Sequence, residues 1–452
     1  MLKITVENVI YSGVKKADIS ALKACLQVVC KKAKYNPSSG KSVYVDETEK
    51  LITAKGIFLT GYLPRVKKYL LDNNIEYEIE NHAERLKASC LSTIKDKALR
   101  DDQERLVKTA IKNQRGILIA PTGSGKTLLA GAIISCFPNR KALFLCDKKS
   151  LAYQAAQDFR EYGLKNITMV GDGEKDISGN IVIAIQKSLV TLDLQKLSTI
   201  FDIVILDECH GLSDKNSQHA EILRNLLAPI RIGLTATFPT DKRIQLVIEG
   251  LLGPIIGELT AAEAKTKNIV ADIKVVIRKV EFDQAVRDLR RYTDVYSQGI
   301  VNNILFNRMV IREAKYWISQ GQIVLIYFNI IDQGKLLKKI ADELDVEAVL
   351  IHGETKNNDR ESTKQLLKSR ELKCVIASKI WNTGVNIPPL SVIINAAGGK
   401  SDIVIRQLAG RGTRTCEGKD KMVFVDFFNP NSNYFVSHFG HRISQFCDLG
   451  WI

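Results

Sequence analysis

The sequence lacks several features that would indicate a membrane or a secreted protein. No stretch approaches the ~18 uninterrupted apolar residues that a membrane-spanning helix needs. The first residues, 1–7, alternate like a strand and have no signal-peptide apolar core. The nine cysteines are scattered, and no two are spaced as a Cys-x-x-Cys pair, which argues against a structural zinc site and a disulfide framework. We therefore expect a cytoplasmic protein with reduced thiols and no membrane partner.

The sequence also lacks internal repeats, low-complexity tracts and an acidic excess. Its 65 lysines and arginines outnumber 50 aspartates and glutamates, and the net charge is +15. Residues 1–95 hold 16 basic and 10 acidic residues, so the excess is not confined to a tail. This balance favours a polyanionic partner such as nucleic acid, although a merely soluble basic protein would have the same composition.

One glycine-rich segment indicates phosphate binding. Residues 120–127 read Ala-Pro-Thr-Gly-Ser-Gly-Lys-Thr and lie between a strand-like run and a helix-favouring run. In a P-loop, the backbone N–H groups and the helix N-terminus surround phosphates, the lysine reaches the β- and γ-phosphates, and the hydroxyl binds Mg²⁺. The alternative is a glycine-rich turn that happens to contain a lysine. The predicted nucleotide-binding residues are Pro121, Thr122, Gly123, Ser124, Gly125, Lys126 and Thr127.

A pair of carboxylates follows an apolar run about eighty residues later. Residues 201–206 read Phe-Asp-Ile-Val-Ile-Leu, typical of a strand buried on both faces, and Asp207-Glu208-Cys209-His210 come next. Such a position predicts that Asp207 binds Mg²⁺ together with Thr127, and that Glu208 orients or deprotonates the attacking water. A solvated acidic turn is the weaker interpretation. The two motifs together predict an enzyme that cleaves a nucleoside triphosphate.

The alternation of strand-like and helix-like runs predicts the domain organisation. Residues 1–95 read as a small α+β domain, with one helix over Ala17–Lys34, another over Pro64–Asn73 and basic clusters at Lys31-Lys32-Lys34 and Arg65-Lys67-Lys68. Residues 96–260 and 265–452 each alternate strands and helices, which predicts two parallel α/β sheets in tandem. The second sheet contains no P-loop of its own.

Two segments of the second α/β block carry the remaining signals. Residues 378–388 read Ser-Lys-Ile-Trp-Asn-Thr-Gly-Val-Asn-Ile-Pro. Residues 407–414 read Gln-Leu-Ala-Gly-Arg-Gly-Thr-Arg, and the arginines Arg411 and Arg414 share one helical face. They could neutralise charge that develops on the γ-phosphate, as arginine fingers do. Taken alone, this segment would be an ordinary basic helix. With the two motifs of the first block in the same order, we expect it to be functional.

The ordered motifs of residues 98–430 resemble those of superfamily 2 helicases of the DExH type. The resemblance is nearest to phage-encoded UvsW-like branch-migration helicases, with RecG-like motors further off. It implies two RecA-like motor lobes, with Arg100 and Gln103 reading the adenine of ATP. It also implies that Thr235, Ala236 and Thr237 couple hydrolysis to movement and that Gln407 acts with the two arginines. The remaining residues that it implies are the nucleic-acid contacts Lys148, Lys149, Gln186, Ser188 and Thr383, and the nucleotide contacts Gly384 and Asn386.

The family implies ATP-driven action, with Mg²⁺, on branched DNA in replication, recombination or repair, through sequence-independent backbone contacts of a monomeric motor. It also implies a small N-terminal DNA-binding domain, which we expect residues 1–95 to supply through their basic clusters. Two positions depart from its pattern. Lys148 and Lys149 follow Asp147 where relatives have Pro-Thr or Pro-Ser, and Asn386 stands where an aspartate is common. An RNA helicase with the same core, a double-stranded DNA translocase without strand separation, and an ATP-gated binding clamp are the alternatives.

Overall fold

The computed structural model describes residues 1–36, 41–89, 94, 98–121, 123–212, 216–260, 263, 272–378, 387, 389–399, 421–448 and 451–452. The chain divides into two compact units near residue 260. Within these ranges no helix combines the length and apolarity needed to cross a bilayer.

The first unit begins with a small sheet in the order β5-β2-β1-β6. Its strands are β1 (Leu2–Val6), β2 (Tyr11–Val14), β5 (Ile57–Leu59) and β6 (Tyr77–Asn81). Helices α1 (Ile19–Leu26) and α2 (Leu63–Asp72) cover it, because Leu22, Val66 and Leu70 join Ile4 in one buried cluster. The predicted helix near Pro64–Asn73 is confirmed to within one residue at each end.

A separate antiparallel hairpin follows α1. Its strands are β3 (Gln27–Asn36) and β4 (Lys41–Lys50). The prediction of one helix over Ala17–Lys34 is therefore wrong in its second part. Val28 and Cys30 are buried whereas Val29 and Lys31 are exposed, so burial alternates with the period of two that a strand requires. β-branched valines also favour the extended conformation.

The rest of the first unit is an eight-stranded sheet in the order β10-β9-β11-β8-β12-β13-β7-β14. Its strands are β7 (Arg115–Ile119), β8 (Ala142–Cys146), β9 (Ile167–Gly171), β10 (Glu174–Lys175), β11 (Ile181–Ile185), β12 (Ile203–Leu206), β13 (Ile230–Thr235) and β14 (Ile255–Glu258). Its helices are α3 (Asp101–Asn113), α4 (Lys126–Ser135), α5 (Lys149–Glu161), α6 (Gln186–Leu189), α7 (Leu194–Leu197), α8 (Gln218–Asn225) and α9 (Lys242–Leu252). All its strand pairs are parallel except β9–β10. The predicted parallel sheet is confirmed.

The second unit contains a six-stranded, all-parallel sheet in the order β15-β20-β19-β16-β18-β17. Its strands are β15 (Asp272–Lys279), β16 (Ile323–Tyr327), β17 (Val349–Ile351), β18 (Cys374–Ala377), β19 (Leu390–Asn395) and β20 (Lys421–Phe428). Its described helices are α10 (Gln284–Arg287), α11 (Tyr292–Tyr296), α12 (Ile304–Ser319), α13 (Ile331–Glu343), α14 (Asn357–Lys368) and α15 (Asn433–Asp448). The fold class predicted for this block is confirmed as well.

Residues 1–36 and 41–81 form the small sheet, its helices and the β3–β4 hairpin, and are called the N-terminal layer below. This layer packs directly on helix α9. The Tyr62 hydroxyl donates a hydrogen bond to the Leu246 carbonyl at 2.7 Å, and burial raises the pKa of Tyr62. The Arg65 guanidinium forms a two-point ion pair with the Glu249 carboxylate, with Nε 2.9 Å from Oε1 and Nη2 2.5 Å from Oε2. Leu246 is part of the buried cluster of the N-terminal layer. The two parts of the first unit therefore share a core.

Candidate active site

The predicted motif segments follow parallel strands of the eight-stranded sheet and therefore lie at one edge of it, which is called the motif edge below. Strands β7, β8, β9, β11, β12 and β13 all end at that edge, because they are parallel to one another. The glycine-rich loop follows β7, and Asp207 follows β12, with β13 between these two strands. Ligands of open α/β sheets bind outside the carboxyl ends of the strands.

The glycine-rich loop has the backbone that phosphate binding requires. Gly123 and Gly125 have φ angles of 88° and 93°, in the left-handed region that favours glycine. Helix α4 begins at Lys126, so its unsatisfied N–H groups lie at the end of the loop. A Cβ on Gly125 would lie 2.7 Å from Nε2 of Gln103. This absence of a side chain lets the loop approach α3.

Arg100 and Gln103 form the start of α3 beside this loop. The side-chain oxygen of Gln103 accepts a hydrogen bond from the Arg100 backbone N–H at 3.1 Å, at the N-terminus of the helix. The Arg100 guanidinium lies 2.9 Å from the carboxylate of Asp102. The structure thus places Gln103 next to Gly125 and Arg100 next to Gln103.

Lys126, Asp207 and Glu208 form a compact charged group. The Lys126 ammonium lies 3.8 Å from Glu208 Oε1, and both side chains are largely buried. Burial and the adjacent Glu208 carboxylate raise the pKa of Asp207. Burial acts in the same direction on Glu208, but Lys126 and His210 outweigh it and lower the pKa of that carboxyl. Two neighbouring buried carboxylates repel each other, and a divalent cation would relieve that repulsion.

A chain of side-chain contacts leads from Glu208 to the segment Thr235–Thr237. His210 Nδ1 lies 3.2 Å from Glu208 Oε2 and 3.0 Å from the hydroxyl oxygen of Thr235. The Thr235 hydroxyl donates to the Thr237 carbonyl at 2.7 Å. Thr235 is fully buried at the end of β13. The segment predicted to couple hydrolysis to movement is therefore in contact with the predicted water-activating carboxylate through one imidazole.

Another part of the same edge holds the predicted strand-contacting residues. Lys148 and Lys149 follow β8, and Gln186 and Ser188 lie in α6 after the neighbouring strand β11. The Lys149 ammonium is ion-paired with Asp172, which follows β9. The hydrogen bonds from Lys149 and from the Tyr153 hydroxyl lower the pKa of Asp172.

Two family models match the chain in tandem. The first, described as the res subunit of type III restriction enzymes, matches residues 96–240. The second, described as the helicase conserved C-terminal domain, matches residues 307–416. With the P-loop, the carboxylate pair and two parallel sheets in this order, the assignment follows. The chain is a superfamily 2 helicase. It is accordingly an ATP-dependent enzyme.

Several known proteins resemble the chain over most of its length. The DNA 3'-5' translocase XPB2 of Sulfurisphaera tokodaii is 27% identical over 396 residues, which cover 79% of this chain and 86% of that protein. The ATP-dependent DNA helicase uvsW of Enterobacteria phage T4 is 23% identical over 377 residues, covering 76% and 74% of the two chains. The structure of S. cerevisiae Dbp5 bound to RNA and ADP BeF3 matches with a TM-score of 0.58 at 17% identity, over 79% of this chain and 89% of that one. This last likeness shows the fold alone.

Several helicase positions predicted from the sequence lie outside the described residues. They are Thr122 of the P-loop and Thr383, Gly384, Asn386, Gln407, Arg411 and Arg414 of the second lobe.

The sequence analysis missed three residues that the structure brings to this edge. His210 was visible as the last letter of the acidic motif, and its contact with Thr235 gives it a role. Asp172 lies at a left-handed position, φ 56°, in a Gly-Asp-Gly turn that could have indicated a special backbone. Asp147 lies 2.7 Å from Nε2 of the buried His219, and no local pattern signals that pair.

Proposed function

We propose that this helicase is an ATP-driven DNA helicase or translocase that acts on branched DNA such as forks, junctions and D-loops. The contact chain Lys126–Glu208–His210–Thr235 carries the motor part of the proposal, because it joins the hydrolysis group to the coupling segment. The choice of DNA is supported by the net charge of +15 and by the relatives named as DNA translocases and DNA helicases. A monomeric motor is sufficient for this function.

The residues of the first lobe fit ATP with Mg²⁺. Lys126 and the loop N–H groups would hold the phosphates, and Thr127 and Asp207 would hold Mg²⁺, which neutralises phosphate charge when bound. Binding of a cation favours the ionised form of Asp207, against the effect of burial on its pKa. Glu208 stays ionised beside Lys126 and can accept a proton from the attacking water while the bond to the leaving oxygen of ADP breaks.

Arg411 and Arg414 are proposed to complete the site by neutralising charge on the transferred phosphoryl group, with Gln407 beside them. Replacing either arginine with alanine should lower turnover by roughly 10³-fold or more, as loss of an arginine finger does. ATP binding should persist in both variants. Turnover at the parent rate in both would exclude this role.

The N-terminal layer is proposed to recognise branched DNA. The structure shows which of its basic residues are exposed and which are paired with lobe 1. Arg65, predicted as part of a DNA-binding cluster, is paired with Glu249 of lobe 1. Lys68 is exposed on α2, and Lys31 is exposed on β3. These lysines, rather than Arg65, remain candidates for phosphate contact. Charge-reversed variants of Lys31 and Lys68 should weaken binding and reduce its dependence on salt.

The deciding experiment compares ATP hydrolysis with four effectors: a DNA fork, linear duplex DNA, single-stranded DNA and RNA. We expect the fork to give the highest rate at limiting effector concentration. The Lys126→Ala variant, assayed in parallel, measures the background of contaminating ATPases. RNA stimulation equal to that of DNA would support the RNA helicase alternative. Equal stimulation by fork and linear duplex, with no strand separation, would support a duplex translocase.

A further inference from the structure

The C-terminal helix α15 contains a buried guanidinium at Arg442, outside the range matched by the family models. Its Nε donates to Asp426 Oδ2 at 2.6 Å, and its Nη2 donates to the Phe427 carbonyl at 3.1 Å. The other Asp426 oxygen accepts from the Asn395 side chain at 3.0 Å. Arg442 and Asp426 are 2% and 0% exposed, so this ion pair is fully desolvated and is fixed in one geometry by its hydrogen bonds.

The same guanidinium holds the chain that follows β19. Arg442 Nη1 donates to the carbonyls of Gly398 and Gly399, each at 3.0 Å. Arg442 thus contacts β20 on one side and the exit from β19 on the other. A lysine could not make these contacts together, because it has one point charge and no planar fork.

Two further side chains, the buried Gln333 and the partly buried Tyr296, hold the residues just before Gly398. Gln333 donates to the Ala396 carbonyl at 2.9 Å, and the Tyr296 hydroxyl donates to the Ala397 carbonyl at 2.9 Å. Four consecutive carbonyls, from 396 to 399, therefore each accept a hydrogen bond from a side chain. This is unusual for residues outside helices and strands, whose carbonyls ordinarily face water.

The position of this cluster along the chain gives it a role. Residue 399 precedes, and β20 follows, the stretch of sequence that contains Arg411 and Arg414. The side chain of Arg442 holds the chain on both sides of that stretch. A displacement of about 1 Å in a catalytic group can cost on the order of 10²-fold in rate.

We propose that Arg442 is a positioning residue for ATP hydrolysis, which it supports by fixing both chain ends that flank the arginine segment, with Tyr296 and Gln333 as its partners. The proposal rests on the function assigned above to Arg411 and Arg414. It predicts an effect on turnover rather than on binding.

The test compares Arg442→Lys with Arg278→Lys in the full chain. Arg278 also makes a two-point ion pair, with Glu313, and lies in the same unit, so it controls for loss of an arginine fork. We expect Arg442→Lys to lower kcat on the order of 10²-fold, with KM for ATP and DNA affinity within about twofold of the parent. Arg278→Lys should retain the parent kcat. Equal kcat losses in the two variants would overturn the proposal.

Tyr296→Phe keeps the proposal testable if Arg442→Lys does not fold. It removes one hydroxyl, and Tyr292→Phe on the same helix is its control, since the Tyr292 ring packs on Tyr434 and His438. Tyr296→Phe should lower kcat severalfold, and Tyr292→Phe should not. A folded Tyr296→Phe variant with the parent kcat would contradict the proposal when Arg442→Lys cannot be measured.

A double-mutant cycle separates positioning from general stability. In a background that lacks both arginines, Arg411→Ala/Arg414→Ala, the further change Tyr296→Phe should cause no further loss of kcat, because both groups that it positions are absent. Additive losses would refute the positioning role. If Arg411→Ala alone has the parent kcat, the proposed role of Arg411 fails, and the kcat of Arg442→Lys then reports on Arg414 alone.

Discussion

The contact between the N-terminal layer and α9 makes a sharp prediction at Gly61. A Cβ built on Gly61 would lie 2.0 Å from the Glu249 carbonyl oxygen and 2.4 Å from that of Gly250. Both atoms belong to the α9 backbone, which cannot rotate away as a side chain could. Gly61→Ala should therefore push the N-terminal layer off α9 instead of being absorbed locally.

The magnitude follows from what the separation exposes. Tyr62 is 4% and Leu246 is 3% exposed, so opening this contact returns apolar surface worth roughly 2 kcal/mol to water. It also breaks the hydrogen bond from Tyr62 to Leu246, worth about 1 kcal/mol. The Arg65–Glu249 pair adds little, because it is partly solvated. We expect Gly61→Ala to destabilise the first unit by about 3 kcal/mol.

Gly13→Ala is the matched control, because it makes the same chemical change in strand β2 of the same N-terminal layer. The nearest atom to a Cβ on Gly13, the Gly56 carbonyl oxygen, is 3.7 Å away, which is an ordinary contact. Glycine inside a strand costs roughly 0.5–1 kcal/mol relative to alanine, so Gly13→Ala should be neutral or slightly stabilising. Urea unfolding measures both variants, and hydrogen exchange at α9 reports the opening directly. Equal stability of the two variants would refute the close approach of Gly61 to α9.

Three further predictions concern the motif edge. Glu208→Gln should bind ATP but lose ATP hydrolysis, whereas Lys126→Ala should lose both ATP binding and hydrolysis. If Glu208→Gln hydrolysed ATP at the parent rate in the presence of DNA, Glu208 would not be the residue that activates water. His210→Ala should retain part of its ATPase activity but unwind less DNA per ATP, because the contact with the coupling segment is gone; an unchanged ratio of unwinding to hydrolysis would contradict this. Asp172→Ala should release Lys149 and tighten DNA binding at low salt, with a steeper salt dependence than the parent; fluorescence anisotropy over a salt series measures it, and unchanged affinity would exclude Lys149 as a phosphate contact.

The sequence predicted the elements whose signal is local. Residues 167–171, 181–185 and 374–377 are short apolar runs bounded by polar or glycine residues, and the observed strands β9, β11 and β18 have the same limits. The P-loop and the carboxylate pair were also recognisable, since their chemistry depends on adjacent residues. The prediction of a single helix over Ala17–Lys34 was wrong because helix α1 is followed directly by strand β3, and no glycine or proline marks the boundary between them.

Contacts between distant residues could not be predicted in this way. The Arg65–Glu249 pair joins residues 184 positions apart, and the contact between Arg442 and Gly398 spans 44 positions. The sequence assigned Arg65 to a basic cluster because two of its near neighbours, Lys67 and Lys68, are lysines. Its actual partner is known only once α9 is packed against α2. Charge counted along a sequence therefore overestimates the cationic surface that is free to bind a polyanion.

Helix α9 gives the N-terminal layer a fixed relation to the hydrolysis group. Its middle holds that layer through Leu246 and Glu249. At its end, Leu252 and Cys209 both pack against Gly233, where a Cβ would lie 2.8 Å from Leu252 and 3.0 Å from the Cys209 sulfur. Cys209 directly follows Glu208. Deleting residues 1–95 would expose Leu246 and the buried face of α9, so truncation would disturb the hydrolysis site as well as remove a DNA contact. Lysine substitutions on the exposed face of the N-terminal layer separate these two effects, because they leave α9 covered.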